Sequence, residues 1–90
     1  MNKPLFIPLK TEYFEAFLRG EKKTEYRAYG PRWNFKTCQE GRLVILSKGY
    51  GKQYRLVKRI TSTEITAPTE DFKKIYGDKR QCLAIHLENL

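Results

Sequence analysis

The segment Arg42–Thr61, "RLVILSKGYGKQYRLVKRIT", does most to limit the fold. Two β-rich runs, Arg42–Ser47 and Tyr54–Thr61, flank "SKGYGKQ", a glycine-bearing turn. A turn this short makes the two strands antiparallel, which argues against an all-parallel sheet. Three more strand-length segments surround this hairpin. "LFIPL", Leu5–Leu9, carries Pro8, which cannot donate to a ladder and so suits an edge strand. "KTEYRAY", Lys23–Tyr29, alternates, and "QCLAIHLENL", Gln81–Leu90, reads as a closing strand.

Two short helices complete the order. In "TEYFEAFLRG", Phe14, Phe17 and Leu18 form one apolar stripe, with Thr11 as the expected N-cap and Gly20 as the stop. In "TEDFKKIYG", Thr69 caps, Glu70 and Asp71 fill the first turn, and Phe72, Ile75 and Tyr76 make the stripe. The order is β-α-β, a long loop from Gly30 to Gly41, a hairpin, then α-β. At 90 residues this is one domain, 1–90. The strands are too few for a sandwich. The expected fold is α+β: a twisted sheet of five to six strands closing into a small β-barrel, with two short helices.

Charge narrows the partners. Eighteen basic against ten acidic residues give +8, which favours polyanions, nucleic acid before anionic membrane. From Gly41 to Thr63 there is no acidic residue, while six basic residues and Tyr50 and Tyr54 stand there. No apolar run reaches the ~20 residues of a membrane span. The N-terminus does not read as a signal peptide, so the expected compartment is the cytoplasm. Cys38 and Cys82 sit in no Cys/His cluster, so no metal site and no cofactor is expected. Dinucleotide, phosphate-loop, zinc-protease and serine-hydrolase motifs are absent. The lone histidine, His86, alternates with Ile85 and Leu87 and reads as a surface or satisfied core residue.

The chemistry concentrates in "GEKKTEYR". Gly20 lets the helix stop abruptly, after which Lys22, Glu25 and Arg27 project plus, minus and plus towards a cleft. The two cations suit a phosphate or acyl oxygen, and the carboxylate suits an exocyclic amine or orients the lysine. The plain alternative is a solvated strand face of Lys23, Glu25 and Arg27. As a ligand site, the trio is expected to matter for affinity and little for stability.

Gly20-x-Lys22-x-x-Glu25-x-Arg27 resembles GxKxxExR, the signature of the ASCH domain family, a β-barrel family related to PUA-type RNA-binding folds. The helix before the motif, the later strand opening on Gly41, its hairpin partner, the second helix and the closing strand are similar to the family's order. The resemblance implies a PUA-like barrel and an RNA- or DNA-binding role. One branch hydrolyses N-acetylated cytidine with the motif lysine, a threonine and a later glutamate, and another member has been described as a ribonuclease. Here Lys22 matches the lysine, but Glu25 stands in place of the threonine, and Thr24 points the other way on a strand. Glu64 and Glu70 are the available later glutamates. The departure argues against the amidohydrolase chemistry.

Basic residues interleave with aromatics: Arg27, Arg32, Lys36, Lys48, Lys52 and Arg55 with Tyr29, Trp33, Tyr50 and Tyr54. Exposed rings stack bases and the cations carry phosphates. Trp33 either does this or caps the barrel end. Tyr50, between two glycines, is the better exposed candidate. The resulting expectation is a monomeric RNA- or nucleotide-binding module. Its cleft is lined by Lys22, Glu25 and Arg27, and a hairpin rim carries Lys48, Tyr50, Lys52 and Arg55, with Arg32 and Trp33 nearby. The alternatives are a Lys22/Glu25 hydrolase acting on a modified nucleoside or on RNA, and a module docking an acidic protein.

Overall fold

A computed structural model describes residues 3–90. The elements run β1 (Leu5–Leu9), α1 (Thr11–Leu18), β2 (Thr24–Ala28), β3 (Leu43–Lys48), β4 (Arg55–Thr66), α2 (Glu70–Tyr76) and β5 (Cys82–Asn89). All five strands share one sheet, ordered β1-β3-β4-β5-β2. β1 runs parallel to β3, and every other pairing is antiparallel. The domain is therefore small and α+β, with five strands and two helices, as its local patterns indicate.

The two faces of the sheet are used differently. Ile7, Leu9, Val44, Leu46, Ile60, Leu83, Ile85 and Leu87 point inward and meet Phe14 and Phe17 of α1. Trp33 and Cys38, from the long loop, complete this core. On the outer face, Ala28 and Cys82 pack against Phe72 of α2, with Tyr26 and Tyr76 beside them. Each large apolar side chain so buried contributes about 1.5–3 kcal/mol. Both cysteines are buried and free.

β1 and β2 occupy opposite edges. In a flat sheet four strand spacings would hold them about 19 Å apart. Arg27 of β2 nevertheless donates from Nη2 to the carbonyl oxygen of Pro8 in β1, at 2.8 Å. The sheet is thus curled into a half-barrel whose two edges are joined by a side chain rather than a ladder. This agrees with the expectation of a small barrel-like sheet, with the two edges bridged by Arg27.

Local readings are corrected in three places. β4 extends to Thr66, not Thr61, because a register shift between Ile60 and Ser62 lets the strand bend and continue against β5. The N-cap of α1 is Lys10, in extended conformation and without a side-chain cap bond, while Thr11 lies inside the helix. The backbone oxygen of Lys10 takes the first helical bonds, from Tyr13 and Phe14. Leu18 of the expected stripe is 61% exposed, since Phe14 and Phe17 already fill the space beneath α1. Thr69 does cap α2, accepting from the Phe72 amide at 3.1 Å.

Candidate functional site: a cleft between the two sheet edges

Gly20, at φ +77°, turns the chain out of α1. The amides of Glu21 and Lys22 both donate to the Ala16 carbonyl, which fixes where Lys22 leaves the helix. In β2, Glu25 and Arg27 are two apart and share the inward face, opposite Ile85 and Leu83. Glu25 is buried at 6% exposure and holds both cations: Arg27 at 2.8 Å and Lys22 at 3.7 Å. The Lys22 ammonium also lies 5.2–5.5 Å from the ring centroids of Tyr13, Phe17 and Tyr26. Such contacts contribute roughly 0.5–2 kcal/mol each, more as water is excluded. Lys22, Glu25 and Arg27 therefore do come together, as a partly buried network rather than a solvated strand face. The expectation that they matter little for stability needs correction on that ground.

The network forms one wall of a cleft of about 320 Å³. Pro8 and Leu9 of β1 and Lys10 face it from the other edge, and α2 supplies Asp71, Phe72, Ile75 and Tyr76. Ile75 reaches the cleft rather than the core and stays 53% exposed. With Tyr13 and Tyr26, the walls are largely aromatic around a few charges. Burial, then the negative charges of Asp71, Glu12 and Glu25, raise the Tyr13 phenol above its ordinary pKa of 10.0. Tyr13 thus stays a hydrogen-bond donor throughout the physiological range.

Asp71, Tyr13 and Tyr26 were not among the sequence candidates. Asp71 reads in sequence as a first-turn helix acid, and only the docking of Phe72 against Ala28 and Cys82 turns it towards the cleft. Neither Glu64 nor Glu70, the two glutamates available for a catalytic role, lines the cleft. Glu70 is exposed and sits 3.8 Å from Lys73, and Glu64 pairs with His86.

Other candidates lie elsewhere. Trp33 is buried in the core, flanked by the guanidiniums of Arg27 at 4.9 Å and Arg32 at 5.1 Å, so it caps the half-barrel and offers no free face for a base. Arg32 stays at the surface over that ring and does not line the cleft. Lys48, Tyr50, Lys52 and Arg55 do not form a rim, because the hairpin's side chains contribute no cleft wall. They lie outside the cleft, and on different faces: Lys48 has the parity of Val44 and Leu46, Arg55 the opposite one. Tyr50 is 82% exposed with its ring 6.3 Å from Phe6, and Arg55 lies over Phe6 on the outer face, while Lys48 lies over Tyr54.

A second polar chain crosses the outer face of β2, β5 and β4. The Thr24 hydroxyl is 2.9 Å from Nδ1 of His86, and Nε2 of His86 is 2.9 Å from Glu64. A carboxylate only accepts, so Nε2 carries the hydrogen and, in the neutral ring, the Thr24 hydroxyl donates to Nδ1. The order hydroxyl, imidazole, carboxylate has the form of a nucleophile–base relay. Neither the cleft nor the smaller cavity beside Lys58 reaches it, and it is accounted for as a cross-strand ladder. Among the described residues no cluster of His, Cys, Asp and Glu could hold a metal ion.

No protein-family model and no curated protein sequence matches the chain.

Proposed function

We propose that this domain is an ASCH-like, PUA-like module that binds single-stranded RNA, or a nucleotide-like ligand, in the cleft between β1 and β2. The observation that carries the reading is the composition of that cleft: aromatic walls from Tyr13, Tyr26, Phe72 and Tyr76 around the Lys22–Glu25–Arg27 network. Rings bind bases by stacking, worth about 1–3 kcal/mol per base. A fixed carboxylate between two cations offers both an acceptor for an exocyclic amine and donors for oxygens. The surplus of positive charge adds attraction for the phosphates, and the outer surface around Tyr50, Lys52 and Arg55 extends the contact.

Fluorescence anisotropy with a labelled mixed-sequence single-stranded RNA tests this. If about four phosphates are neutralised, log K against log salt falls with a slope near −3, at ~0.7 per contact. Replacing Lys52 and Arg55 with glutamine weakens binding to every sequence alike. No binding at low salt, or a flat salt response, overturns the reading.

A hydrolytic reading has one observation in its favour: Asp71 brings a second carboxylate into the cleft that holds Lys22 and Glu25. In it, Lys22 would stabilise an oxyanion and a carboxylate would move protons. Against it, Glu25, which holds Lys22 at 3.7 Å, stands where the hydrolytic branch of the resembled family has a threonine. No acetate is expected from acetylated cytidine, and release that is lost in Lys22→Ala would favour the enzyme.

A further inference from the structure

Lys22 walls two cavities. Beyond it, away from the aromatic cleft, lies a smaller cavity of about 200 Å³ floored by Phe17 and bounded by Lys23, Lys58, Glu88 and Asn89. Its electrostatics differ from those of the cleft. Three of its residues are lysines and one is a glutamate. Lys22 has its counterion, Glu25, in the cleft rather than here. Lys23 and Lys58 make no ion pair among the described residues. Glu88 stands directly opposite Arg59 in the β4–β5 register, but no ion pair joins the two among the described residues, so its carboxylate offsets part of the cavity's positive charge.

The Lys23 backbone and the Lys58 ammonium are also held in place. The Lys23 carbonyl accepts from the Leu87 amide at 2.9 Å, pinning the chain just before β2 to β5. The Lys58 ammonium donates to the Asn89 side-chain oxygen. A small cavity in which lysines outnumber the one carboxylate suits a compact anion, and lysine binds phosphate as a point charge.

We infer that this cavity is a phosphate subsite. It takes the phosphodiester next to the base held in the cleft, with Lys22 as the partition between them. This rests on the nucleic-acid reading above and sharpens it: the smallest complete ligand is a dinucleotide, not a free base or nucleoside. The two cavities divide the work, the aromatic one taking a ring and the basic one the charge that follows it along the strand.

The test compares two probes by NMR titration: a pool of nucleosides and a pool of dinucleoside monophosphates, which carry one phosphodiester each. The dinucleotides bind about tenfold more tightly, as one charge-assisted contact implies, and shift the amides of Lys23, Glu88 and Asn89. The nucleosides shift only those of the cleft. Lys23→Gln with Lys58→Gln abolishes the tenfold gain and leaves nucleoside affinity in place. Lys52→Gln with Arg55→Gln, on the outer surface, preserves the gain. Far-ultraviolet circular dichroism confirms that both variants fold. Equal affinity for the two pools, or a gain that survives the Lys23 and Lys58 changes, overturns the subsite while RNA binding stands. Failure of both pools and of longer RNA to bind overturns the subsite and the nucleic-acid reading together.

Discussion

Arg27 and Pro8 stand on opposite edges of one sheet, and a single hydrogen bond of 2.8 Å joins them. The guanidinium reaches that carbonyl because Glu25, two residues earlier on the same strand face, holds it through Nε at 3.0 Å and Nη2 at 2.8 Å. Trp33 packs on its plane. One side chain therefore serves the curl of the sheet, the neutralisation of a buried carboxylate and the shape of the cleft.

Arg27→Ala leaves Glu25 buried with only the more distant Lys22. Removing one partner of a fully buried pair costs about 3–5 kcal/mol. Arg27 retains some solvent contact, so a loss of about 2–3 kcal/mol is expected, on the order of 10–20 °C in melting temperature for a domain this size. Arg27→Lys restores part of it. A melt within a degree or two of wild type means that the bridge does not hold the edges.

Lys22 and Glu25 act as a unit. The single changes Lys22→Ala and Glu25→Gln and their combination form a double-mutant cycle, read both as stability and as RNA affinity. A coupling of about 0.5 kcal/mol or more is expected on each axis, because contacting groups are not additive. Strict additivity means that the two side chains are independent.

Tyr13 gives the cleft an alkaline signature. Its phenol titrates above the unfolded value, so the stability it contributes is fully present below pH 10 and is lost as pH rises through the folded value. A spectrophotometric titration near 295 nm shows a late-ionising tyrosine. Tyr13→Phe removes that late step and the matching alkaline loss of stability. An unchanged titration curve in the variant assigns the late step elsewhere.

His86 is held in one tautomer by Glu64. Nitrogen-15 correlation spectra of the neutral imidazole show the proton on Nε2, and Glu64→Ala yields a mixture. Thr24→Val costs about 1 kcal/mol through the lost hydroxyl bond to Nδ1. Glu64 is 60% exposed, so its removal costs less than about 1 kcal/mol. A proton found mainly on Nδ1 contradicts the order of donors.

Local chemistry made the strands and helices legible. The alternation around Tyr26, the glycines at Gly20 and Gly49, and the Thr69 cap are signals carried within a few residues. The trio's meeting in a cleft was legible too, since Glu25 and Arg27 share strand parity. What lay hidden was long-range. The bulge beyond Ile60 made β4 look shorter, because its two halves pair in different registers with β5. Asp71 carries no local mark of the cleft, since that role depends on where α2 docks. Tyr50 and its basic neighbours read as a cleft rim by composition, yet none of them lines the cleft.

The curl has a consequence for how the chain behaves among its own copies. A sheet edge is a template on which another polypeptide can add a strand, and small β proteins aggregate by that route. In this domain β1 and β2, the two margins of the sheet, face each other across the cleft and are bridged by Arg27. Pro8 removes one donor from the first of them, and the Arg27 side chain takes up the carbonyl beside it. Opening the cleft exposes both margins at once, so a variant that loosens this closure is expected to gain intermolecular β-structure and lose solubility before it loses its helices.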